Sequence, residues 1–425
     1  MKLLTFTSLY PNEAQPIHGV FVENRLRRLV TAGNIESRVV APVPWFPFGH
    51  SAFGRYGAYA RVPRREERHG LALYHPRFAV IPKIGMALSP DLMARGARRS
   101  VMHLIESGYD FDIIDAHYFY PDGVAAALLA ENLRKPLVIT ARGSDINLFP
   151  RYRAARRRIL WAAGRAAHII TVSAALQRRL IELGVPEEKI TVIRNGVDLE
   201  VFAPQDRAAC RRALGLQGPT LLMVGSLVAL KGHRLVIEAL ARLPGWSLMI
   251  AGEGPERGPL ERQAERLGLS QRVRFLGTLA HEALPKLYSA ADLLILASSR
   301  EGIANVLLEA MACGTPVVTT AVGGCAEVVT NSDVGAVVPE RSPQALREAI
   351  EGVWAKRPDR SRIRRHAARF DWAETTREQA ALLHRLCARQ TALSFNLCAG
   401  SSSARAPGPV AGPVPLGENS GLNDV

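Results

Sequence analysis

Two glutamates, Glu301 and Glu309, lie with seven residues between them in the stretch SSREGIANVLLEAMACGTPVV, which runs from Ser298 to Val318. Carboxylates can act as a catalytic acid/base pair, or they can accept hydrogen bonds from the hydroxyl groups of a ligand. If both lay on one helix, they would be separated by about 12 Å and rotated by about 80°. This geometry disfavours an immediate dyad and leaves two separate acceptors, or an ordinary polar helix face, as alternatives.

The local pattern predicts where each glutamate lies. DLLILASS is typical of a buried strand, SREGIA is polar, and NVLLEAMAC has helical spacing before CGTP ends the helix. Glu301 therefore falls in a strand-to-helix loop and Glu309 within the helix. The helix would begin near Asn305, Val306 and Leu307, whose free N–H groups and positive dipole end suit a phosphate.

A phosphate at this helix start would have one carboxylate on each side of it. A nucleotide sugar carries sugar hydroxyls on one side of its diphosphate and ribose hydroxyls on the other, so Glu301 and Glu309 could each accept from one set. The plain alternative is that Glu309 is a solvated helix residue and Glu301 an acid near the helix cap. On this stretch alone both interpretations stand equally, because a motif match is only a hypothesis.

Size, charge and cysteine content bound the class of protein. The chain has 425 residues, which at about 150 residues per domain predicts two or three domains. Lys+Arg total 54 and Asp+Glu 39, so the net charge is 54 − 39 = +15, which favours a nucleotide, a nucleic acid or an acidic membrane as partner. Five cysteines without a CxxC pair indicate neither a disulfide framework nor a zinc site, and a reducing cytoplasm is expected.

Membrane insertion is not expected from the sequence. The N-terminus MKLLTFTSLYPNEAQ resembles a first strand rather than a secretory signal, and no apolar run of 18 residues occurs. The chain is therefore expected to be soluble and cytoplasmic, with a peripheral position on the inner face of the plasma membrane left open.

Short apolar runs alternate with helical patterns in two successive series, which predicts an α/β fold of two tandem doubly wound, Rossmann-like domains facing each other across a cleft. NGVDLEVFAP marks the junction. The predicted units are an acceptor-binding domain at 1–197, a nucleotide-sugar-binding domain at 198–370, a C-terminal helix at 371–390 that crosses back to the first domain, and a disordered tail at 391–425. Ligands of such sheets bind beyond the carboxyl ends of the strands.

SSREGIANVLLEAMACGTPVV, followed by GGCAEVV, resembles the Glu-seven-Glu signature of the family 4 retaining glycosyltransferases, which have the GT-B fold. The resemblance continues through VIRNGVDLEVFAP, VGSLVALKGHRLVIEAL, LMIAGEGPE, RVRFLGTL and LYSAADLLILAS, and it spans roughly residues 1–390. SLYPNEAQPIHGVFVENRLRRLV, DAHYFYPDGVAA and VITARGSDIN are similar to teichuronic-acid-type and other bacterial surface-polysaccharide transferases.

The resemblance implies a hexosyltransferase that moves a sugar from a nucleotide-diphosphate sugar to a saccharide or lipid-linked saccharide in polysaccharide or cell-envelope glycan biosynthesis. It implies retention at the anomeric carbon by front-face attack, with no metal or other cofactor. Glu301 would contact the donor sugar, Glu309 the ribose and Lys231 the diphosphate. Ser226 stands where the family commonly has an arginine, which removes a bidentate contact.

Further site residues follow from the same resemblance. The backbone of Gly277 and Leu279 would meet the base. His117 ends the strand FDIIDAH and would orient the donor sugar, whereas a lone histidine at a strand end is otherwise a structural residue. Gly19 would let the backbone approach a phosphate, although a turn glycine explains it equally well. Arg142 replaces a second histidine of the family pattern, so its role is open.

The basic excess has two candidate locations. RYRAARRRILWAAGRAAH at 151–168 is a helical pattern with clustered arginines, which suits an anionic membrane surface, and a charged outer helix face is the alternative. PVPWFPFGHSAFGRYGAYARVPRR at 42–65 is predicted to be a long aromatic and basic loop of the acceptor-binding domain, suited to a lipid-linked saccharide or to acting as a lid.

Two other classes of function compete with sugar transfer. A nucleic-acid-binding protein would use the charge but leaves Glu301 and Glu309 unexplained, so no nucleic-acid partner is expected. A GT-B relative with other chemistry, such as an epimerase or phosphorylase, or an inactive partner subunit, is favoured by Ser226 and Arg142.

Overall fold

The computed structural model describes residues 1–80 and 85–401, with side chains described as far as residue 389. The strands are β1 (Lys2–Phe6), β2 (Glu36–Val40), β3 (Val43–Pro44), β4 (Arg65–Arg68), β5 (Leu71–Tyr74), β6 (Arg77–Phe78), β7 (Ile113–His117), β8 (Leu137–Ala141), β9 (His168–Thr171), β10 (Ile190–Val192), β11 (Thr220–Val224), β12 (Ser247–Ala251), β13 (Val273–Gly277), β14 (Leu293–Leu296), β15 (Val317–Thr320) and β16 (Gly335–Val338).

The α-helices alternate with these strands. They are α1 (Val20–Ala32), α2 (Gly54–Arg61), α3 (Ser89–Glu106), α4 (Val124–Leu133), α5 (Ser144–Asn147), α6 (Arg153–Arg165), α7 (Ala174–Glu182), α8 (Arg207–Leu214), α9 (His233–Ala241), α10 (Arg257–Arg266), α11 (Leu284–Ala290), α12 (Asn305–Ala312), α13 (Cys325–Val328), α14 (Pro343–Lys356), α15 (Arg360–Ala367) and α16 (Trp372–Ser401).

The strands form two large sheets. The first has the order β10-β9-β8-β7-β1-β2-β5-β4 and is parallel except at the β4–β5 edge, and the second has the order β13-β12-β11-β14-β15-β16 and is parallel throughout. Strands β7 and β8 are buried along their whole length, because helices cover both faces of the sheet. The predicted α/β class with two doubly wound units is confirmed.

The chain crosses between the two sheets twice. It passes through the segment after β10, and it returns before α16, where the Val197 N–H donates to the Phe370 carbonyl at 2.8 Å. Leu382 and Leu383 of α16 are buried in the same cluster as Leu26 and Leu29 of α1, so α16 packs on the first sheet's helix layer. The helix continues beyond the predicted end at 390 to Ser401, and the rest of the predicted disordered tail, 402–425, lies outside the described residues.

Asp122 links the ends of β1 and β7. Its Oδ1 accepts the Ser8 N–H, while Oδ2 has no hydrogen-bond partner among the described residues. Burial raises the pKa of Asp122 to about 7 from its usual 3.8. The folded protein therefore binds more protons than the unfolded chain between these values, and its free energy of unfolding falls as pH rises through that window.

Replacing Asp122 with Asn is expected to flatten this pH dependence, since the variant has no carboxyl group to ionise in the folded state. The slope removed is at most about 1.4 kcal/mol per pH unit. Urea unfolding at about pH 5 and about pH 7 measures it. Asp333→Asn, at an exposed position, is the matched control and should keep the wild-type slope. An unchanged slope in Asp122→Asn would contradict the assignment.

Candidate active site

Glu301 and Lys231 meet at the carboxyl edge of the second sheet. Lys231 follows β11 and Glu301 follows β14, and these two strands are neighbours in the sheet. The Lys231 Nζ lies 2.7 Å from the Glu301 Oε1, and the Ser298 Oγ donates to the same oxygen at 2.7 Å. The two residues predicted to meet the diphosphate and the donor sugar therefore form one partly buried ion pair.

The loop that carries Glu301 contacts the first domain. The Asn147 Nδ2 donates to the Glu301 carbonyl at 3.3 Å. A Cβ on Gly302 would lie 1.9 Å from the Arg142 carbonyl oxygen, so only a glycine allows the two backbones to approach this closely. The Gly324 N–H donates to the Gly302 carbonyl at 2.8 Å from within the second domain. The loop is thus held between turns of both domains.

Glu309 lies in α12, and Glu301 lies in the loop before it, as the sequence pattern predicts. The Glu309 Oε2 accepts from the Tyr288 hydroxyl at 2.8 Å, and Oε1 lies 3.7 Å from the His281 Nε2. Burial, reinforced by Glu309, raises the pKa of Tyr288 well above its usual value, and the neighbouring Glu309 carboxylate raises the pKa of His281. One carboxylate oxygen is therefore held in place while the other faces an ionisable neighbour.

Sequence reasoning missed Tyr288 and His281. Tyr288 lies 21 positions before Glu309, on α11, and the ring of His281 packs against that of Phe202 with centroids 4.9 Å apart. Tyr288 lies within LYSAADLLILAS, one of the motifs that carry the family resemblance, but nothing in the sequence indicates that it or His281 contacts Glu309. That contact is created by the packing of α11 beside α12. The available signal was that both are polar residues that follow β13, on the side of the sheet where ligands are expected.

The start of α12 differs in one respect from the prediction. Within the described residues, the N–H groups of Asn305 and Val306 have no acceptor, whereas the Leu307 N–H donates to the Ala304 carbonyl at 3.1 Å. The Leu307 side chain is fully buried. The Leu307 N–H is therefore already used in the first turn of the helix, and the contact of the Asn305 and Val306 N–H groups with a phosphate stays a prediction.

A cavity of about 1090 Å³ opens beside Glu309. Its lining includes Phe21 and Asn24 of α1, Gly196 of the linker, and Asn305 and Glu309 of α12. The Lys231–Glu301 pair is not part of the lining. The structure thus brings Asn305 and Glu309 to the cavity and keeps the pair in a separate, adjacent position.

The remaining predicted residues lie at strand ends around the cleft. Ser226 is exposed after β11, and Leu279 is half-buried after β13. The Gly277 carbonyl accepts the Gly252 N–H at 2.8 Å. Gly19 has φ of 74°, and a Cβ there would lie 2.3 Å from the Leu9 carbonyl oxygen, so this position requires glycine for a close backbone contact within the first domain.

His117 is 1% exposed and lies below the cleft surface. Its Nδ1 accepts from the Arg142 Nη2 at 2.7 Å, and its Nε2 lies 3.3 Å from the Asp115 Oδ2. Burial lowers the pKa of His117. Both ring nitrogens are therefore engaged within the protein, and contact with a donor sugar remains a prediction.

Comparison with known families decides the class of this site. Residues 206–370 match the model described as glycosyl transferases group 1, and residues 20–201 match glycosyltransferase family 4. The putative teichuronic acid biosynthesis glycosyltransferase TuaC of Bacillus subtilis is 30% identical over 370 residues, covering 83% of this chain and 90% of that protein. The chain belongs to the family 4 glycosyltransferases. It is a transferase enzyme of glycan biosynthesis, as the resemblance implied.

Other relatives agree with this assignment. The D-inositol 3-phosphate glycosyltransferase of Mycobacterium bovis is 34% identical over 297 residues, covering 64% of this chain and 61% of that protein. HepE of Anabaena, solved in complex with UDP, superposes with a TM-score of 0.69 at 25% identity, covering 91% of this chain and 100% of that one. The sucrose-phosphate synthase of Thermosynechococcus elongatus shares the fold, with a TM-score of 0.76 at 21% identity over 91% of this chain and 99% of that one.

This family 4 glycosyltransferase shows two further features in the described part of the chain. None of its helices combines the length and apolar character needed to span a bilayer. Across residues 1–80 and 85–401, no group of three or more His, Cys, Asp and Glu side chains is arranged to hold a metal ion.

Proposed function

We propose that this protein is a retaining glycosyltransferase that moves a sugar from a nucleotide-diphosphate sugar to a saccharide or lipid-linked saccharide. The observation that carries the proposal is the contact between Lys231 and Glu301, with Glu309 and the free N–H groups of Asn305 and Val306 on the adjoining helix. A cation and a helix start suit the diphosphate, and the two carboxylates suit hydroxyl groups on either side of it.

The proposed chemistry is front-face attack, in which the acceptor hydroxyl reaches the anomeric carbon on the side from which the phosphate departs. The departing phosphate takes the acceptor's proton, so no separate general base is needed. The Glu301 carboxylate fits this scheme, because Lys231 and Ser298 both bind its Oε1 and leave Oε2 to accept from a sugar hydroxyl. Lys231 would stabilise the charge that develops on the diphosphate, without a metal ion.

The donor is expected to be a nucleoside diphosphate sugar, and two solved neighbours are complexes with UDP and with UDP-glucose. A thermal-shift panel of UDP, GDP, ADP and their sugars identifies the base, because a ligand that binds only the folded state stabilises it by about 2.7 kcal/mol at one hundred times its Kd. A panel in which no nucleotide raises the Tm would contradict the proposal. Sugar transfer or donor hydrolysis by the wild type distinguishes an active enzyme from an inactive partner subunit.

The first domain carries a surface suited to an anionic membrane, which we name the arginine face. It consists of exposed arginines of α3, of α6 and of the position just before α6, none with an ion pair in the described structure: Arg95, Arg98, Arg99, Arg151, Arg153, Arg156 and Arg157. An ion pair between Arg158 and Asp91 joins α6 to the start of α3. Met86 and Leu88 before α3 and Tyr152 before α6 are exposed apolar side chains beside it.

A lipid-linked acceptor would bring this enzyme to the membrane, and the arginine face is the proposed contact. Replacing Arg153, Arg156 and Arg157 together with Gln is expected to lower the affinity for anionic vesicles by about a hundredfold, at about 1 kcal/mol for each charge. Co-sedimentation with vesicles rich in phosphatidylglycerol, at low and high salt, measures the loss.

The matched control is a second triple substitution on exposed arginines of the other domain, Arg212→Gln, Arg242→Gln and Arg266→Gln. It changes the net charge equally and should leave vesicle binding within a few-fold of the wild type. Equal losses in both variants would show that net charge alone attracts the protein, and the absence of vesicle binding by the wild type would remove the membrane contact altogether.

A further inference from the structure

A closed ring of buried polar side chains lies beneath the cleft, where the two domains and α16 meet. It consists of side chains that are each at most 9% exposed: Arg25, Asp115, His117, Arg142, Asn195 and Gln379. The Arg25 Nε donates to the Gln379 Oε1 at 2.6 Å, and the Gln379 Nε2 donates to the Asp115 Oδ2 at 3.2 Å. The ring closes at Asn195, whose Oδ1 accepts from Arg25 at 3.4 Å and from Arg142 at 3.1 Å.

The ring defines the state of His117. A guanidinium can only donate, so the His117 Nδ1 that receives the Arg142 Nη2 carries no proton. The proton is then on Nε2, which donates to Asp115, and the imidazole is neutral. Both nitrogens of His117 are therefore used, whereas the Arg142 Nε, the Asp115 Oδ1 and the Arg25 Nη2 of the same ring have no hydrogen-bond partner in the described structure.

Arg142 is a buried cation without a carboxylate partner in the described structure. Its Nη atoms bind the neutral groups of Asn195 and His117, and its Nε has no hydrogen-bond partner. The nearby Asp145 carboxylate accepts the backbone N–H groups of Phe119, Arg142 and Gly143 rather than the guanidinium. The ring itself carries two guanidiniums and one carboxylate, a charge of 2 − 1 = +1, and the buried Asp145 carboxylate beside it offsets this charge without a direct contact to the guanidinium. A buried guanidinium whose Nε has no acceptor is incompletely hydrogen-bonded unless a ligand supplies one.

Arg142 lies next to residues that are proposed to bind the diphosphate. Its carbonyl oxygen lies against Gly302, the neighbour of Glu301 in the loop that also meets Lys231. Asn195 links Arg142 to Asn305, the first residue of α12. The Asn195 Oδ1 accepts from the Arg142 Nη1, and the Asn195 Nδ2 donates to the Asn305 Oδ1 at 3.0 Å. The Arg142 Cζ lies 5.4 Å from the ring centre of Phe21, which lines the cavity.

We propose that Arg142 binds the diphosphate of the donor from the first domain, opposite Lys231 of the second. This inference rests on the proposed function and assigns one residue of its donor site. A planar guanidinium can make the bidentate phosphate contact that the hydroxyl of Ser226 cannot. Because its two cations lie on different domains, the site can contact a diphosphate with both of them only while the domains are in contact. The affinity for the diphosphate therefore depends on the contact between Gly302 and the Arg142 backbone.

Calorimetric titration tests the assignment with two probes, the nucleoside diphosphate that gives the largest thermal shift and the matching nucleoside. Arg142→Gln is expected to weaken diphosphate binding at least tenfold and to leave nucleoside binding unchanged, because only the diphosphate carries charge. Arg242→Gln, at an exposed position of the second domain, is the matched control and should match the wild type for both probes.

The outcomes are distinguishable. If the wild type binds neither probe, the proposed function fails; if it binds both and Arg142→Gln binds the diphosphate equally well, only this inference is overturned. If Arg142→Gln weakened the binding of the diphosphate and the nucleoside equally, Arg142 would have a purely structural role, and the inference would again be overturned. If circular dichroism shows that Arg142→Gln does not fold, Arg142→Lys takes its place, because it retains the charge without the planar group. Its affinity for the diphosphate is expected to fall at least threefold, with its affinity for the nucleoside unchanged. Unchanged binding by that variant would equally overturn the inference.

Discussion

Glu301→Ala and Lys231→Ala are each expected to reduce sugar transfer by about a thousandfold or more, with the fold intact. Removing a preorganised group that stabilises charge in a transition state typically costs about 3–4 kcal/mol. In this chain the loss is compounded, because the Lys231 Nζ and the Glu301 Oε1 are in contact at 2.7 Å and each variant leaves the other charge without its partner. Turnover of the nucleotide sugar, measured as release of the nucleoside diphosphate, gives the rate.

Control variants separate this effect from a general loss of structure. Glu182→Ala and Lys356→Ala remove the same charges at exposed positions of α7 and α14 and should turn over normally. Because Glu301 and Lys231 are in contact, the turnover rate of the double variant is expected to fall by less than the product of the fold reductions in the two single variants. Near-normal turnover of either single variant would be incompatible with the site described above.

The placement of the two glutamates was predictable because it depends on local pattern. The apolar run before Glu301 predicts strand β14, the spacing after it predicts α12, and parallel strands bring their following loops to one edge of a sheet. Lys231 and Glu301 follow strands that are neighbours in the sheet, so their proximity follows from topology. The contact itself needed the structure, since strand order cannot be read from periodicity alone.

The environment of His117 was not predictable, because it depends on residues that are distant in the sequence. Its partner Arg142 lies 25 positions away, and Asp115 is bound by Gln379 from 264 positions away. Such contacts depend on how the two crossings of the chain pack against the first sheet, and no local pattern encodes them. The position at a strand end alone favoured a structural histidine, and the family resemblance implied contact with the donor sugar; the structure shows a buried imidazole, and the sugar contact stays a prediction.

The edge of the first sheet was also missed. Strand β4 has the sequence REER, which contains no apolar residue, and it pairs antiparallel with β5. Charged edge strands are common because their charges discourage pairing with strands of other molecules. They lack the alternation of apolar and polar residues by which a strand is detected in a sequence. The 42–65 segment predicted as an aromatic loop contains β3 and α2 as well as exposed Trp45, Phe48 and Phe53.

Gly302→Ala is expected to impair both activity and stability although it adds a single methyl group. The new Cβ would lie 1.9 Å from the Arg142 carbonyl oxygen and 2.8 Å from its carbonyl carbon, and these are backbone atoms that cannot rotate away. Overpacking of this kind typically costs about 1–3 kcal/mol, and a shift of about 1 Å in a catalytic loop can cost about a hundredfold in rate. Turnover and the urea midpoint measure the two effects.

Gly352→Ala is the matched control, because a Cβ at that position of α14 would meet no atom within 4 Å. An alanine in a helix is favoured over glycine by up to about 1 kcal/mol, so this variant should be as stable as the wild type or more so, with full activity. The comparison bears on mechanism as well as packing. If Gly302→Ala kept full turnover, the Arg142 turn would not need to contact the Glu301 loop while the sugar is transferred, and the two domains would meet the donor separately.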